Sequence, residues 1–199
     1  MNIGIVGTGL VGGTLARQLA RAGHKVFISF SKTPGKLKAI VDEMGVNVVE
    51  TTPEEAVSFS EVIILSVHFL SMNDAIRQMG DTKGKILIDT SNQYDIKLPA
   101  GVTAASEVIK RLPEIKLVKA FNTHRYSDLL LKAFHDPLFI MPYSGDNAEA
   151  IGKTAAIINS IGFEAFYVGT LKEVYKQEMH GVLYGKNITS AEAIELLNQ

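Results

Sequence analysis

The chain has 199 residues, 46% of them hydrophobic, and its 20 Lys and Arg offset its 21 Asp and Glu to a net charge of −1. That length and apolar share suit a single domain over residues 1–199 with an ample core, and the charge balance gives no electrostatic case for a nucleic acid or an anionic membrane as partner. The sequence contains no cysteine, which excludes disulfides, thiolate metal sites and cysteine nucleophiles.

No run of about 18 apolar residues occurs, so no membrane span is expected. The first apolar run starts almost at Met1 and leaves no room for a signal peptide, so a cytoplasmic location is expected. Residues 3–6 read as a strand that enters Gly7-Thr8-Gly9-Leu10-Val11-Gly12. An amphipathic helix follows, with Leu15, Leu19 and Ala20 on one side and Arg17 and Arg21 on the other. A GxGxxG between a strand and a helix is the dinucleotide fingerprint. Gly7 allows the tight turn, Gly9 lets the pyrophosphate approach the backbone, and Gly12 lets the helix pack on the strand. The helix N-terminus then offers N–H groups to the anion. The plainer alternative is a tight turn that holds no ligand.

A second strand is expected over 25–30, a helix over 34–44 with Leu37, Ile40 and Val41 on its buried face, and a short strand over 46–49. Thr52-Pro53-Glu54-Glu55 reads as an N-cap with proline at the first helical position. Strands follow over 62–67, 86–88 and 115–120, with a turn at Pro99-Ala100-Gly101 and a helix over 107–112 between the last two. The final third reads as a strand over 138–143, a helix over 147–160, a strand over 162–168 and helices over 172–184 and 190–197. The expected fold is therefore α/β: a Rossmann-type, doubly wound, mostly parallel sheet of about eight strands with helices on both faces. Residues 172–199 would form a helical tail packed on it. Right-handed crossovers place the C-terminal strand ends on one edge, where ligands bind in such sheets.

An NAD site usually carries an acid after the second strand to hold the ribose 2′-OH. Here that place reads Ser31-Lys32-Thr33-Pro34-Gly35-Lys36, with no acid. Ser31, Lys32 and Lys36 suit a 2′-phosphate instead, and Thr8 adds a hydroxyl, so NADP(H) is the expected cofactor. The plainer alternative makes Lys32 and Lys36 solvated lysines at a helix start.

After the fourth strand, Ser66, Val67, His68 and Phe69 should lie near the pyrophosphate and the nicotinamide ribose, with Phe69 placed to cover one of the two rings. His68 is an acid–base candidate by its near-neutral pKa, and equally a loop residue bonded to backbone. Asp89-Thr90-Ser91-Asn92-Gln93-Tyr94 suits hydrogen bonding to ribose or carboxamide, or a plain Asx turn. After the sixth strand, Asn122 and Thr123 should point at the nicotinamide, and His124 and Arg125 at a second substrate. His24, His135 and His180 show no metal spacing, so no metal is expected. No GxSxG elbow or P-loop lysine occurs. A site poor in acid–base groups fits hydride transfer to a flavin-like ring better than reduction of a carbonyl, which needs a nearby proton donor.

IGIVGTGLVGGTLA, the Ser31-Lys32 step, EVIILSVHF, DTSNQY, KLVKAFNT, SGDNAEA and INSIGFEAFYVGTL together resemble the NADP-dependent deazaflavin oxidoreductase family. Relatives of that family include the cytosolic domain of the six-transmembrane ferric reductases. The resemblance spans roughly residues 3–171. It implies NADP(H) held by Gly7, Thr8, Gly9, Leu10, Val11 and Gly12, with the 2′-phosphate at Ser31, Lys32 and Lys36. It further implies a nicotinamide near Ser66, Val67 and His68, with Asn92, Ala120, Asn122 and Thr123. It also implies a second-ring pocket beside Asn122 to His124, a flavin or deazaflavin as second substrate, and a homodimer. His124-Arg125-Tyr126 and the tail after Leu171 depart from the family pattern. The expected activity is NADPH-dependent hydride transfer to a flavin-like or other small redox acceptor, with His68, Asn122 and His124 as catalytic candidates. The alternatives are a non-catalytic NADP(H)-binding redox sensor or partner subunit, and a reductase of imine or carbonyl metabolites.

Overall fold

The computed structural model describes residues 1–94 and 96–199. Eight strands form one sheet: β1 (Asn2–Val6), β2 (Lys25–Ser29), β3 (Val48–Glu50), β4 (Val62–Leu65), β5 (Ile86–Asp89), β6 (Lys116–Lys119), β7 (Ile140–Gly145) and β8 (Glu164–Gly169). Their spatial order is β3-β2-β1-β4-β5-β6-β7-β8. β1 to β6 pair in parallel, β7 runs antiparallel to β6, and β8 is parallel to β7. The strand order reverses direction between β1 and β4, which is the switch point where such sheets bind ligands.

Two-residue periodicity sorts the strand side chains into two cores. Ile3, Ile5, Val62, Ile64, Ile86 and Ile88 face one way; Val6, Ile63, Leu65 and Leu87 face the other. The first set packs under α1 (Leu10–Arg21), α2 (Lys36–Met44), α6 (Tyr126–Leu131) and α7 (Ala148–Ser160), through Leu15, Leu19, Ile40, Leu129 and Ile157. The second packs under α3 (Pro53–Ser58), α4 (Met72–Arg77) and α5 (Ala104–Arg111), through Val57, Met72, Ala75 and Val108. A third, smaller core joins β7 and β8 to Leu183 and to Ala193 of α8 (Ser190–Leu197).

Local chemistry sets the helix starts. Thr52 forms a capping box with Glu55 ahead of Pro53, and Thr103 forms one with Ser106. β3 begins later than expected, because Gly45–Asn47 forms a 3₁₀ turn that leaves Val46 exposed.

The expected helix over 172–184 does not form. The chain makes one 3₁₀ turn, Val174–Lys176, and then doubles back, with the Leu183 N–H donating to the Lys176 carbonyl. Gly181 packs against Tyr175, where a Cβ would lie 2.3 Å from the carbonyl oxygen. Gln177 and Glu178 turn inward and bury polar ends against the sheet. A regular helix would need those positions to follow the apolar stripe instead.

Candidate cofactor groove and inner cavity

The glycine turn is built as its spacing predicts. Gly7 has φ +103°, a left-handed backbone, and a Cβ there would lie 2.3 Å from the Ser66 carbonyl. At Gly12 a Cβ would lie 2.0 Å from the Gly7 carbonyl, so only glycine lets α1 seat on the strand end. Gly9 differs: a Cβ there would meet nothing within 4 Å. No protein atom requires glycine at that position, and the free space lies where an anion would approach the helix. Gly9 also caps α1 with no side-chain hydrogen bond. The N–H groups of Leu10, Val11 and Gly12 precede the first helical bond, which runs from the Gly13 N–H to the Gly9 carbonyl. Thr8 donates its N–H to the Phe30 carbonyl at 3.3 Å, while its buried Oγ1 has no hydrogen-bond partner.

An outer cleft of about 190 Å³ opens beside this turn. Thr8, Ser31, Lys32, Lys36 and His68 line it, and none of its described lining residues is acidic. Ser31 accepts from the Thr33 N–H at 3.1 Å and donates to the Thr33 carbonyl at 3.2 Å, which folds the loop after β2. The Lys32 ammonium reaches across to Ser71 Oγ at 2.8 Å, and Lys36 is the first residue of α2. Two ammonium groups with no facing carboxylate among the described residues make the cleft a site for an anion.

The inner cavity, about 330 Å³, shares Gly9, Ser66, Val67 and His68 with the outer cleft. Leu10, Val11, Ser91, Asn92, Asn122 and His124 are among the other residues of its wall. Thr90 Oγ1 donates to Ser66 Oγ at 3.1 Å and ties the β4 and β5 loops together. Ser91 Oγ and His124 Nε2 are buried with no hydrogen-bond partner. A native fold seldom leaves such atoms orphaned without a ligand or water to satisfy them. A further cavity of about 560 Å³ adjoins on the far side of His124 and Tyr94, lined also by Thr123, Arg125 and Tyr184.

Three expected positions differ. Ala120 is fully buried in the core and lines neither space; its N–H is bound to the Asp89 carbonyl at 3.2 Å. Phe69 packs into the core under α4 and covers neither cavity. Thr123 lies beyond the inner cavity, on the adjoining one, with its hydroxyl 2.8 Å from His124 Nδ1.

Asn122 is in the inner wall, but both ends of its amide are engaged. Its Nδ2 donates to the Gln177 carbonyl at 2.9 Å and to Asn92 Oδ1 at 3.3 Å, and its Oδ1 accepts from Gln177 Nε2 at 3.2 Å. Its backbone carbonyl accepts from Asn92 Nδ2 at 2.8 Å. Asn122 therefore shapes the wall, and its side chain has no N–H left over for a ligand.

Burial lowers the His124 pKa to about 4, against a smaller upward pull from Asp128. The imidazole, packed edge-on against Phe163, is thus neutral at physiological pH. Burial and the Tyr94 hydroxyl, 2.7 Å from its own, push the Tyr184 pKa up, so this phenol stays protonated.

The sequence gives no sign of the polar floor beneath the cavity. Lys119 is fully buried, donating to Asp89 Oδ2 at 2.6 Å and to the Ser91 carbonyl, with Glu178 Oε1 at 3.8 Å. Glu178 caps α5 by accepting from the Ala104 and Ala105 N–H groups, each at 2.9 Å. Read locally, Gln177 and Glu178 look like surface residues of a helix. Among the described residues, no group of three or more His, Asp or Glu is placed to hold a metal, and no helix is long and apolar enough to cross a membrane.

Residues 2–93 match the family model described as NADP oxidoreductase, coenzyme F420-dependent. This agrees with the resemblance read from the motifs. The chain is 29% identical over 181 residues to Metalloreductase STEAP3 of Rattus norvegicus, covering 88% of this chain and 35% of that protein. It thus spans about a third of the length of this curated relative. Among solved structures, a hypothetical protein, SMa0349, from Sinorhizobium meliloti superposes with a TM-score of 0.85 at 27% identity, over 96% of both chains. A protein from Arthrobacter sp. FB24 described as an F420-dependent NADP-reductase superposes with a TM-score of 0.73 at 24% identity, over 85% of both chains. At that identity the second likeness shows the shared fold.

Proposed function

We infer, from the match of residues 2–93 to the family model of coenzyme F420-dependent NADP oxidoreductases, that this chain moves a hydride between NADP(H) and a flavin-like ring or other small redox acceptor. One observation carries the reading. Three orphaned buried polar atoms (Thr8 Oγ1, Ser91 Oγ and His124 Nε2) and the vacant side of Gly9 lie along one continuous groove at the switch point. Such a row fits an extended ligand with polar groups along its length.

In this reading the N–H groups at the start of α1 and the Thr8 hydroxyl hold the pyrophosphate. Ser31, Lys32 and Lys36 hold the 2′-phosphate. Ser66, Val67, Ser91 and Asn92 frame the nicotinamide in the inner cavity, and the acceptor enters from the side of His124, Arg125 and Tyr184. The bound dinucleotide supplies the hydride; the residues exclude water and align two rings. A neutral His124 is a weak acid at physiological pH, which favours an acceptor that takes hydride without a concerted proton from the protein. A non-catalytic sensor would need the space beside the nicotinamide plugged, whereas an inner cavity of about 330 Å³ adjoins a second of about 560 Å³. A homodimer is proposed on the family resemblance alone.

The test is a stopped-flow record of dihydronicotinamide absorbance with NADPH against a panel of flavin, deazaflavin, quinone and ferric chelate acceptors. Oxidation of NADPH with at least one of them is expected. No oxidation with any of them contradicts the reading.

A further inference from the structure

We propose that Gln177 is a positioning residue for the redox site: it locks Asn122, and through it the wall of the inner cavity, from a segment that itself never touches the groove. The proposal rests on the reading of that cavity as the nicotinamide site.

Gln177 is fully buried and has all of its amide engaged. Its Nε2 points at the Lys119 carbonyl (3.0 Å), Asn122 Oδ1 (3.2 Å) and the Pro142 carbonyl (3.3 Å). Its Oε1 accepts from Ser144 Oγ at 2.8 Å, and its own backbone carbonyl takes the Asn122 Nδ2. One side chain thus bridges the ends of β6 and β7, where the sheet changes from parallel to antiparallel. Few ladder bonds cross there: the β6–β7 register holds only Val118 with Gly145 and Lys119 with Ser144. Gln177 supplies the missing cross-links at the residues that lead directly into the cavity wall.

The strand end needs such support. Phe121, between Ala120 and Asn122, has φ +60°, a left-handed backbone that costs about 1–3 kcal/mol in a residue other than glycine. Asn122 is the next residue, and Asn92 in turn leans on it through the 2.8 Å bond to its carbonyl. The Gln177 amide therefore holds both loops that form the inner wall, since Asn92 lies after β5 and Asn122 after β6. Gln177 is absent from every lining of the groove. Its effect on the reaction is indirect: it fixes where the wall stands.

The experiment compares wild-type protein with Gln177→Met, which keeps the length of the side chain and removes its hydrogen bonds, and with Ser144→Ala, which removes only the hydroxyl that orients Gln177. NADPH is the probe. Its dissociation constant is read by titration, the surroundings of its ring by the emission of the bound dihydronicotinamide, and folding by thermal melting. The phosphate contacts are remote from Gln177, so affinity should stay within about threefold. The bound emission should shift, and the single-turnover rate with any working acceptor should fall about 10–100-fold, as expected for a ring misplaced by about 1 Å. Ser144→Ala should move the emission the same way by less, and it carries the test if Gln177→Met does not fold. Unchanged emission in whichever variants fold, with only a lower melting temperature, overturns the proposal. Wild-type protein that binds no NADPH overturns the functional reading instead.

Discussion

Lys119 Nζ lies 2.6 Å from Asp89 Oδ2, and both side chains are wholly shielded from solvent. They extend from neighbouring parallel strands at paired register positions, at the strand ends that lead into Ser91 and Asn122 of the inner wall. Lys119 also donates to the Ser91 carbonyl, and Asp89 Oδ1 accepts the Ser91 N–H at 2.9 Å. The pair thus fixes the loop that carries Ser91 into the groove. Breaking it should cost much more than removing it: Lys119→Met leaves Asp89 a buried, unpaired charge, with a loss of about 3–5 kcal/mol. The double variant Lys119→Met with Asp89→Leu should recover part of that loss. Urea denaturation of the three proteins checks both.

The glycines of the turn should separate under substitution. Gly12→Ala forces a Cβ to 2.0 Å from a backbone oxygen and should unfold the protein or lower its melting temperature steeply. Gly9→Ala meets no protein atom, so unfolding free energy should change by about 1 kcal/mol or less. NADPH affinity should nevertheless fall, because the added methyl occupies the space proposed for the pyrophosphate. A melting curve and an NADPH titration on each variant distinguish the two effects.

Ser31→Ala with Lys32→Ala should weaken NADPH by about tenfold or more, as loss of a charge-assisted hydrogen bond requires. NADH, which lacks the 2′-phosphate, should bind almost as before. Equal losses for both cofactors would mean that the loop after β2 serves only to hold the fold. Parallel titrations of the two cofactors decide it.

The buried His124 should leave its mark on stability against pH. Its folded pKa of about 4 lies below the value near 6.5 of an unfolded imidazole. Between those values the unfolded chain binds the extra proton. Stability is therefore constant above the upper value and declines as pH falls toward the lower one, by up to about 3 kcal/mol. His24, lowered by burial and by the positive N-terminus, adds to the same slope. His124→Asn should flatten the decline, measured as unfolding free energy between pH 4 and 7.

The local features were legible in the sequence. The apolar runs of β1, β4 and β5, the glycine turn and the cap at Thr52 all act within a few residues, so local spacing reveals them. The gathering of Ser31, Lys32 and Lys36 on one cleft followed from parallel topology. What escaped depends on contacts between distant parts of the chain. Asn122 and Gln177 are 55 positions apart, and nothing in KEVYKQEMHG marks its Gln and Glu as buried. A polar pair there reads locally as a solvated helix face; it is turned inward by distant groups, the Lys119 and Pro142 carbonyls and Ser144 for Gln177 and the Ala104 and Ala105 N–H groups for Glu178. Ala120 and Phe69 were misplaced for a related reason: an address in a loop at the ligand edge does not say which way a side chain turns.

The central claim is that the groove grips NADP(H) through its 2′-phosphate. Calorimetric titration of the wild-type chain with NADPH and with NADH tests it most directly. One site per chain with NADPH bound about tenfold or more tighter than NADH is the expected result, since an ammonium–phosphate contact contributes that much. Equal affinities, or no binding of either, would contradict it.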